Sequence, residues 1–128
     1  MPNSAPKASW ARGLGLFVFV GLLLGQVYAL YLVTPGSGAA LPYADKLAHA
    51  AMFATPAALA AALRWRWGLL ILVVHAAISE PLQGVLTATR QVDVWDAVAD
   101  LIGIVVGVAA VRQWRSDRPR VLGRDGDE

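Results

Sequence analysis

The sequence predicts an all-α fold, a bundle of four transmembrane helices. The 128 residues have a mean hydropathy of +0.53. Only 16% of them are charged, whereas soluble domains carry about 25% charged residues. Four apolar segments each approach the roughly 20 residues that a helix needs to cross the hydrocarbon core. None of these segments has the broad polar face that a soluble bundle helix turns toward water.

The four apolar segments are residues 13–33, 46–63, 67–86 and 94–111. The first is an uninterrupted apolar run, and the other three carry isolated ionisable groups. A signal peptide has an apolar core of about 7–15 residues, which is shorter than the first segment. We therefore expect the first segment to remain in the protein as a membrane span.

The connections between the segments have the composition of loops. A Pro/Gly-rich stretch precedes the second segment, a short RWRW turn precedes the third, and a polar stretch precedes the fourth. No internal repeat is visible. The predicted organisation is an N-terminal lead, one four-helix membrane domain and a charged tail, at residues 1–12, 13–113 and 114–128.

The distribution of positive charge predicts the topology. Nine of the eleven Lys and Arg residues lie before the first segment, between the second and third, or after the fourth. Only Lys46, at the very start of the second segment, and Arg90 lie at the other two connections. The positive-inside rule then places both termini in the cytoplasm. Because topology explains the basic residues, no nucleic-acid partner is expected. The absence of cysteine excludes disulfides and thiolate sites.

Two pairs of glycines, each four residues apart, predict close helix packing. Gly21 and Gly25 lie in the first segment, and Gly103 and Gly107 lie in the fourth. Small residues at this spacing let helix backbones approach closely in lipid. We favour packing within one chain for both pairs, and a homo-oligomer is the alternative.

Polar groups from three segments are predicted to meet near the outer surface. With the topology above, nine side chains lie at a similar depth: Asp45, Lys46, His49, Glu80, Gln83, Arg90, Asp93, Asp96 and Asp100. Charges in hydrocarbon cost several kcal/mol unless they face partners or a wet cavity. We therefore expect these side chains to line an outward-facing polar pocket. The simpler alternative places Asp45, Lys46 and Asp93 as loop charges among lipid headgroups.

The two histidines differ in what they suggest. His49 lies four residues after Asp45, on the same face of a helix, and is equally compatible with a structural or a functional role. His75 lies near the middle of the third segment, about 140° around the helix from Glu80, so we expect a packing role. Together Asp45, His49, Glu80 and Asp96 are chemically able to bind a metal, but helical spacing is a weak signal. No metal or cofactor is therefore predicted.

The ordered polar motifs resemble the VanZ-like family. The matching pieces are "DKLAHAAMF" at 45–53, "EPLQ" at 80–83, Arg90, "DVWDAVAD" at 93–100 and "GIVVG" at 103–107. The family pattern has an Asn where this chain has Asp100; both residues offer an acceptor oxygen, but Asp lacks the amide donor. The resemblance implies a multi-pass protein of the bacterial inner membrane. The family is named for a protein that lowers susceptibility to the glycopeptide teicoplanin.

Three classes of function follow from these observations. The first is a cell-envelope factor whose polar pocket binds a lipid-linked or glycopeptide headgroup. The second is a small membrane enzyme, with Glu80 or His49 as the base and Asp45 or Asp96 orienting it. The third is a proton-coupled carrier, which four short helices would support only as an oligomer. Because the sequence contains no Gly-x-Ser-x-Gly or His-Glu-x-x-His motif, we favour the first.

Overall fold

The computed structural model describes residues 5–33, 43–87 and 92–118. These residues form four α-helices and, within those ranges, no strand. The helices are α1 (Ala5–Tyr31), α2 (Ala44–Ala62), α3 (Arg66–Leu86) and α4 (Val94–Ser116). The prediction of an all-α chain with four helices is thus confirmed.

The helices begin and end close to the predicted segments, with two extensions. α1 begins eight residues before its apolar segment, and α4 continues five residues beyond its own. Helical hydrogen bonding depends on the backbone rather than on hydrophobicity, so a helix can continue past the apolar stretch into a polar environment. The apolar pattern therefore marks the part of each helix that suits lipid, not the whole helix.

Three of the four helices are long and apolar enough to cross a membrane: α3, α4 and the Ser9–Tyr31 part of α1. Their outward surfaces carry large apolar side chains such as Phe17, Leu24 and Val105, which suits contact with a bilayer. α2 is not among these three helices, because it carries Asp45, Lys46 and His49 and its many alanines are only weakly apolar. It packs against each of the other three helices.

The helices alternate in direction. Gly15 of α1 lies beside Leu63, and the Phe19 and Trp65 rings meet edge to face with centroids 4.9 Å apart. At the end of α4, Arg115 Nη2 donates a 2.7 Å hydrogen bond to the carbonyl oxygen of Ala62. The start of α1, the turn at 63–65 and the end of α4 therefore share one end of the bundle, which we call the arginine end.

α2 and α4 form the closest helix pair. A Cβ atom added to Gly103 would collide with the carbonyl oxygen of Ala50, and one added to Gly107 would collide with that of Ala54. Glycine is the residue that permits this backbone approach. By contrast, a Cβ at Gly21 or at Gly25 would have no heavy atom within 4 Å. From the sequence we expect Gly21 and Gly25 to pack against another helix of the same chain, but among the described residues they make no such close contact.

The hydrophobic core lies between the four helices and includes Phe19, Leu30, Phe53, Leu72 and Ile104. His75 joins its edge, as expected for a packing residue. Its ring lies 5.5 Å from that of Phe53, and its Nε2 is 3.4 Å from the Tyr31 hydroxyl.

Candidate functional site

The polar side chains meet at the end of the bundle opposite the arginine end. This polar end contains the start of α2, the end of α3 and the start of α4. We call the side chains that gather there the polar cluster, which consists of Asp45, Lys46, His49, Ser79, Glu80, Gln83, Asp93, Asp96 and Asp100. Residues up to 55 positions apart in sequence thus come together. Arg90, the remaining predicted residue, lies outside the described residues.

Lys46 ties the start of α2 to the start of α4. Its Nζ donates to Asp93 Oδ2 at 2.7 Å and to Asp96 Oδ1 at 2.8 Å. Asp93 also caps α4, because its Oδ1 accepts from the backbone N–H of Trp95 at 2.9 Å. The hydrogen bond from Lys46, with the one from Trp95, holds the pKa of the Asp93 carboxyl below its usual range. Lys46 and Asp93 remain partly exposed, so they form the accessible part of the cluster.

His49 and Asp100 form the deepest pair, with exposed fractions of 1% and 0%. The ring Nδ1 lies 2.9 Å from Asp100 Oδ1. With Asp100 as a carboxylate, which only accepts, Nδ1 is the atom that carries the proton and donates it. The second Asp100 oxygen accepts from the Ser79 hydroxyl at 3.2 Å. Asp100 is therefore held at both oxygens and fixes the orientation of the His49 ring.

Glu80 links α3 to the start of α4. Its Oε2 accepts from the backbone N–H of Asp93 at 3.0 Å, and its Oε1 accepts from Gln83 Nε2 at 3.2 Å. Glu80, Gln83 and Asp96 are all at least nine-tenths buried. Within the described residues, these hydrogen bonds link Lys46, Asp93, Asp96, Glu80 and Gln83 into one set and His49, Ser79 and Asp100 into a second. The cluster opens to the surface through Asp45, Lys46 and Asp93.

Within the described parts of the chain, two groups of side chains have the atoms to hold a metal ion. One is Asp45, His49 and Asp96, and the other is His49, Glu80 and Asp100; within each group the ligand atoms lie within 4.8 Å of one another. Both groups share His49.

Sequence reasoning missed two buried polar residues. Ser79 lies directly before Glu80, at the polar end of the third segment. That position could have identified Ser79 as a member of the polar cluster. Gln26 is 3% exposed, and neither its Oε1 nor its Nε2 has a hydrogen-bond partner among the described residues. A lone amide in an otherwise apolar segment was the signal for Gln26. It lines a groove of about 460 Å³ with Gly21, Gly25 and Met52, away from the polar cluster.

The orienting partner of His49 also differs from the enzyme hypothesis. That hypothesis assigned the role to Asp45 or Asp96, but Asp100 makes the hydrogen bond. Helical periodicity placed all three carboxylates at a similar depth, and it could not tell which one would reach Nδ1.

Comparison with known proteins found no matching protein-family model, curated protein or solved structure. The geometry of the polar cluster is therefore the structural basis from which a function is inferred. That geometry offers an acid-rich, mostly buried site with a partly exposed rim and one oriented histidine.

Proposed function

We propose that the protein is a VanZ-like protein of the bacterial inner membrane, with four spans and both termini in the cytoplasm. Its polar cluster faces the outer leaflet and binds a lipid-linked or glycopeptide headgroup. The resemblance of the ordered polar motifs and the bias of Lys and Arg toward the arginine end support this proposal.

The observation that carries the proposal is the bridge between Lys46, Asp93 and Asp96. An ammonium group is held between two carboxylates at the rim of an otherwise buried network. A headgroup that carries an amine could replace Nζ at the carboxylates, and one that carries a phosphate or carboxylate could bind Nζ itself. The proposed site therefore suits a headgroup that carries either a positive or a negative charge.

Glycopeptide susceptibility tests this function. A strain lacking the protein is complemented with Lys46→Gln, Glu80→Gln or Arg90→Lys, and teicoplanin susceptibility is compared with that of the wild-type complement. We expect each variant to lose most of the effect at normal membrane levels, which are checked by immunoblot. Arg112→Gln, a charge change on the arginine end, is the matched control and should behave as wild type. Full activity of both Lys46→Gln and Glu80→Gln would refute a role for the cluster in this function.

A second function, a small membrane enzyme, is favoured by the His49–Asp100 pair. A histidine whose Nδ1 donates to a carboxylate is oriented to accept a proton at Nε2, the arrangement used in general-base catalysis. Purified protein incubated with radiolabelled lipid-linked precursors would release a product if this function holds. If the same preparation binds the precursors but releases no product, the enzyme function is refuted and only headgroup binding remains.

A further inference from the structure

The free ring nitrogen of His49 is unusual for so buried a group. Among the residues that the structure describes, none offers Nε2 a hydrogen bond, although the side chain is only 1% exposed. The nearest carboxylate oxygen, Asp96 Oδ2, lies 3.9 Å away, beyond hydrogen-bonding distance. Because Nδ1 donates to Asp100, a neutral ring presents a lone pair at Nε2.

We propose that Asp45, His49 Nε2 and Asp96 bind one divalent transition-metal ion, such as Zn²⁺. A nitrogen and two carboxylates are ligands that such ions accept. Tetrahedral zinc ligands with bonds of about 2.1 Å lie about 3.4 Å apart. One ligand atom from each residue lies within 4.8 Å of the others, and His49 Nε2 lies 3.9 Å from Asp96 Oδ2. These separations exceed the tetrahedral one by at most about 1.4 Å, which side-chain rotation would close.

The hydrogen bonds decide between the two groups that share His49. The group with Glu80 and Asp100 already contains the bond from His49 Nδ1 to Asp100. A metal there would have to displace that bond. A metal bound by the group with Asp45 and Asp96 leaves that hydrogen bond intact. The bond then orients the His49 ring, because metal-binding histidines commonly donate their other N–H to a carboxylate. In this arrangement Asp100 is a positioning residue.

The bonding of Asp96 also fits a metal ligand. Its Oδ1 accepts from Lys46, while its Oδ2 is the atom that faces His49 Nε2. Asp45 is exposed and completes the group from the surface side, which gives an ion a route into the site. The described cluster contains five carboxyl groups and one lysine, so its surroundings attract cations.

The metal site lies within the cluster of the proposed function, but it does not depend on that function. Metal binding is measured directly on the purified protein, without an antibiotic. Zinc binding together with unaltered susceptibility of Lys46→Gln and Glu80→Gln would support the metal site and refute headgroup recognition. Altered susceptibility without zinc binding would support headgroup recognition and refute the metal site.

The test uses the full chain in detergent, purified without a histidine tag, stripped with a chelator and titrated with Zn²⁺ by calorimetry. We expect one Zn²⁺ per chain and at least a tenfold loss of affinity in His49→Gln and in Asp96→Asn. His75→Gln is the matched control, because it removes the other intramembrane histidine, and it should bind as wild type. Helical circular dichroism and a single elution peak show that each variant is folded.

A second measurement works even if the His49 and Asp96 variants do not fold. The chain has two histidines, so the His75→Gln protein retains only His49. Loaded with Mn²⁺, it should show imidazole-nitrogen coupling in pulsed electron paramagnetic resonance. Absence of that coupling, or equal zinc affinity in folded wild type and His49→Gln, would overturn the proposal.

Discussion

Replacing the glycines one at a time with alanine should affect the two glycine pairs in opposite directions. At Gly103 and Gly107 the new Cβ collides with the carbonyl oxygens of Ala50 and Ala54. These are backbone atoms, which cannot rotate away, so α2 and α4 must move apart. At Gly21 and Gly25 the new Cβ meets no heavy atom within 4 Å.

The magnitudes follow from two opposing effects. Overpacking typically costs about 1–3 kcal/mol, while replacing a helical glycine with alanine contributes about 0.5–1 kcal/mol in favour of the folded state. Because the clashing atoms belong to the backbone, the upper part of the overpacking range, about 2–3 kcal/mol, applies. Gly103→Ala and Gly107→Ala should therefore each lower the free energy of unfolding by about 1–2.5 kcal/mol. Gly21→Ala and Gly25→Ala should leave it unchanged or raise it by up to about 1 kcal/mol.

Unfolding in mixed detergent and dodecyl sulfate micelles, followed by circular dichroism, measures these differences. The four variants differ from wild type by the same single methyl group, so each pair is the control for the other. If Gly103→Ala were as stable as wild type, the contact between α2 and α4 would be looser than described. A loss in Gly21→Ala as large as that in Gly103→Ala would mean that α1 packs through this pair against another chain.

Three further predictions concern topology, the core and the buried amide. Alkaline phosphatase fused near residues 38 and 89 should be active, and fusions near residues 66 and 128 should be inactive; activity at residue 128 would contradict the four-span topology. Phe19→Ala should lower the free energy of unfolding by about 3–5 kcal/mol, because Phe19 is fully buried against Trp65. Phe17→Ala, on the exposed face, should cost much less in the same unfolding assay. Gln26→Leu should raise the free energy of unfolding by about 1–3 kcal/mol, since it removes a buried amide without partners among the described residues; a loss of stability would show that the amide has one.

The sequence predicted the elements well because apolar runs and their connections define helices in a membrane protein. The starts of the predicted second and third segments fall within two residues of α2 and α3, and α4 starts at the predicted residue. The extended start of α1 was not predictable from hydropathy, because residues such as Lys7 and Arg12 suit a helix as well as they suit a polar lead.

The membership of the polar cluster was also largely predictable, but its pairing was not. Depth in the membrane and helical periodicity place Glu80 and Asp96 on facing surfaces. Which carboxylate reaches His49, and whether Lys46 turns inward or toward headgroups, depends on how closely α2 approaches α4. That distance is set by Gly103 and Gly107 through their contacts with α2. Which side chains form hydrogen bonds with each other therefore depends on how the helices pack, and the spacing of residues along the sequence does not predict it.

A combined substitution separates a structural role of the cluster from a functional one. Replacing a buried polar network with apolar residues of similar volume is often neutral or stabilising, whereas removing one partner leaves a buried group unsatisfied. We therefore expect His49→Leu, Ser79→Ala and Asp100→Leu together to fold at least as stably as Asp100→Leu alone, because no member of the network is left unpaired. If the network served stability only, this triple variant would keep the susceptibility phenotype and the zinc affinity of wild type. We expect it to lose the zinc affinity, because it removes the oriented nitrogen of His49 while it keeps the helices together.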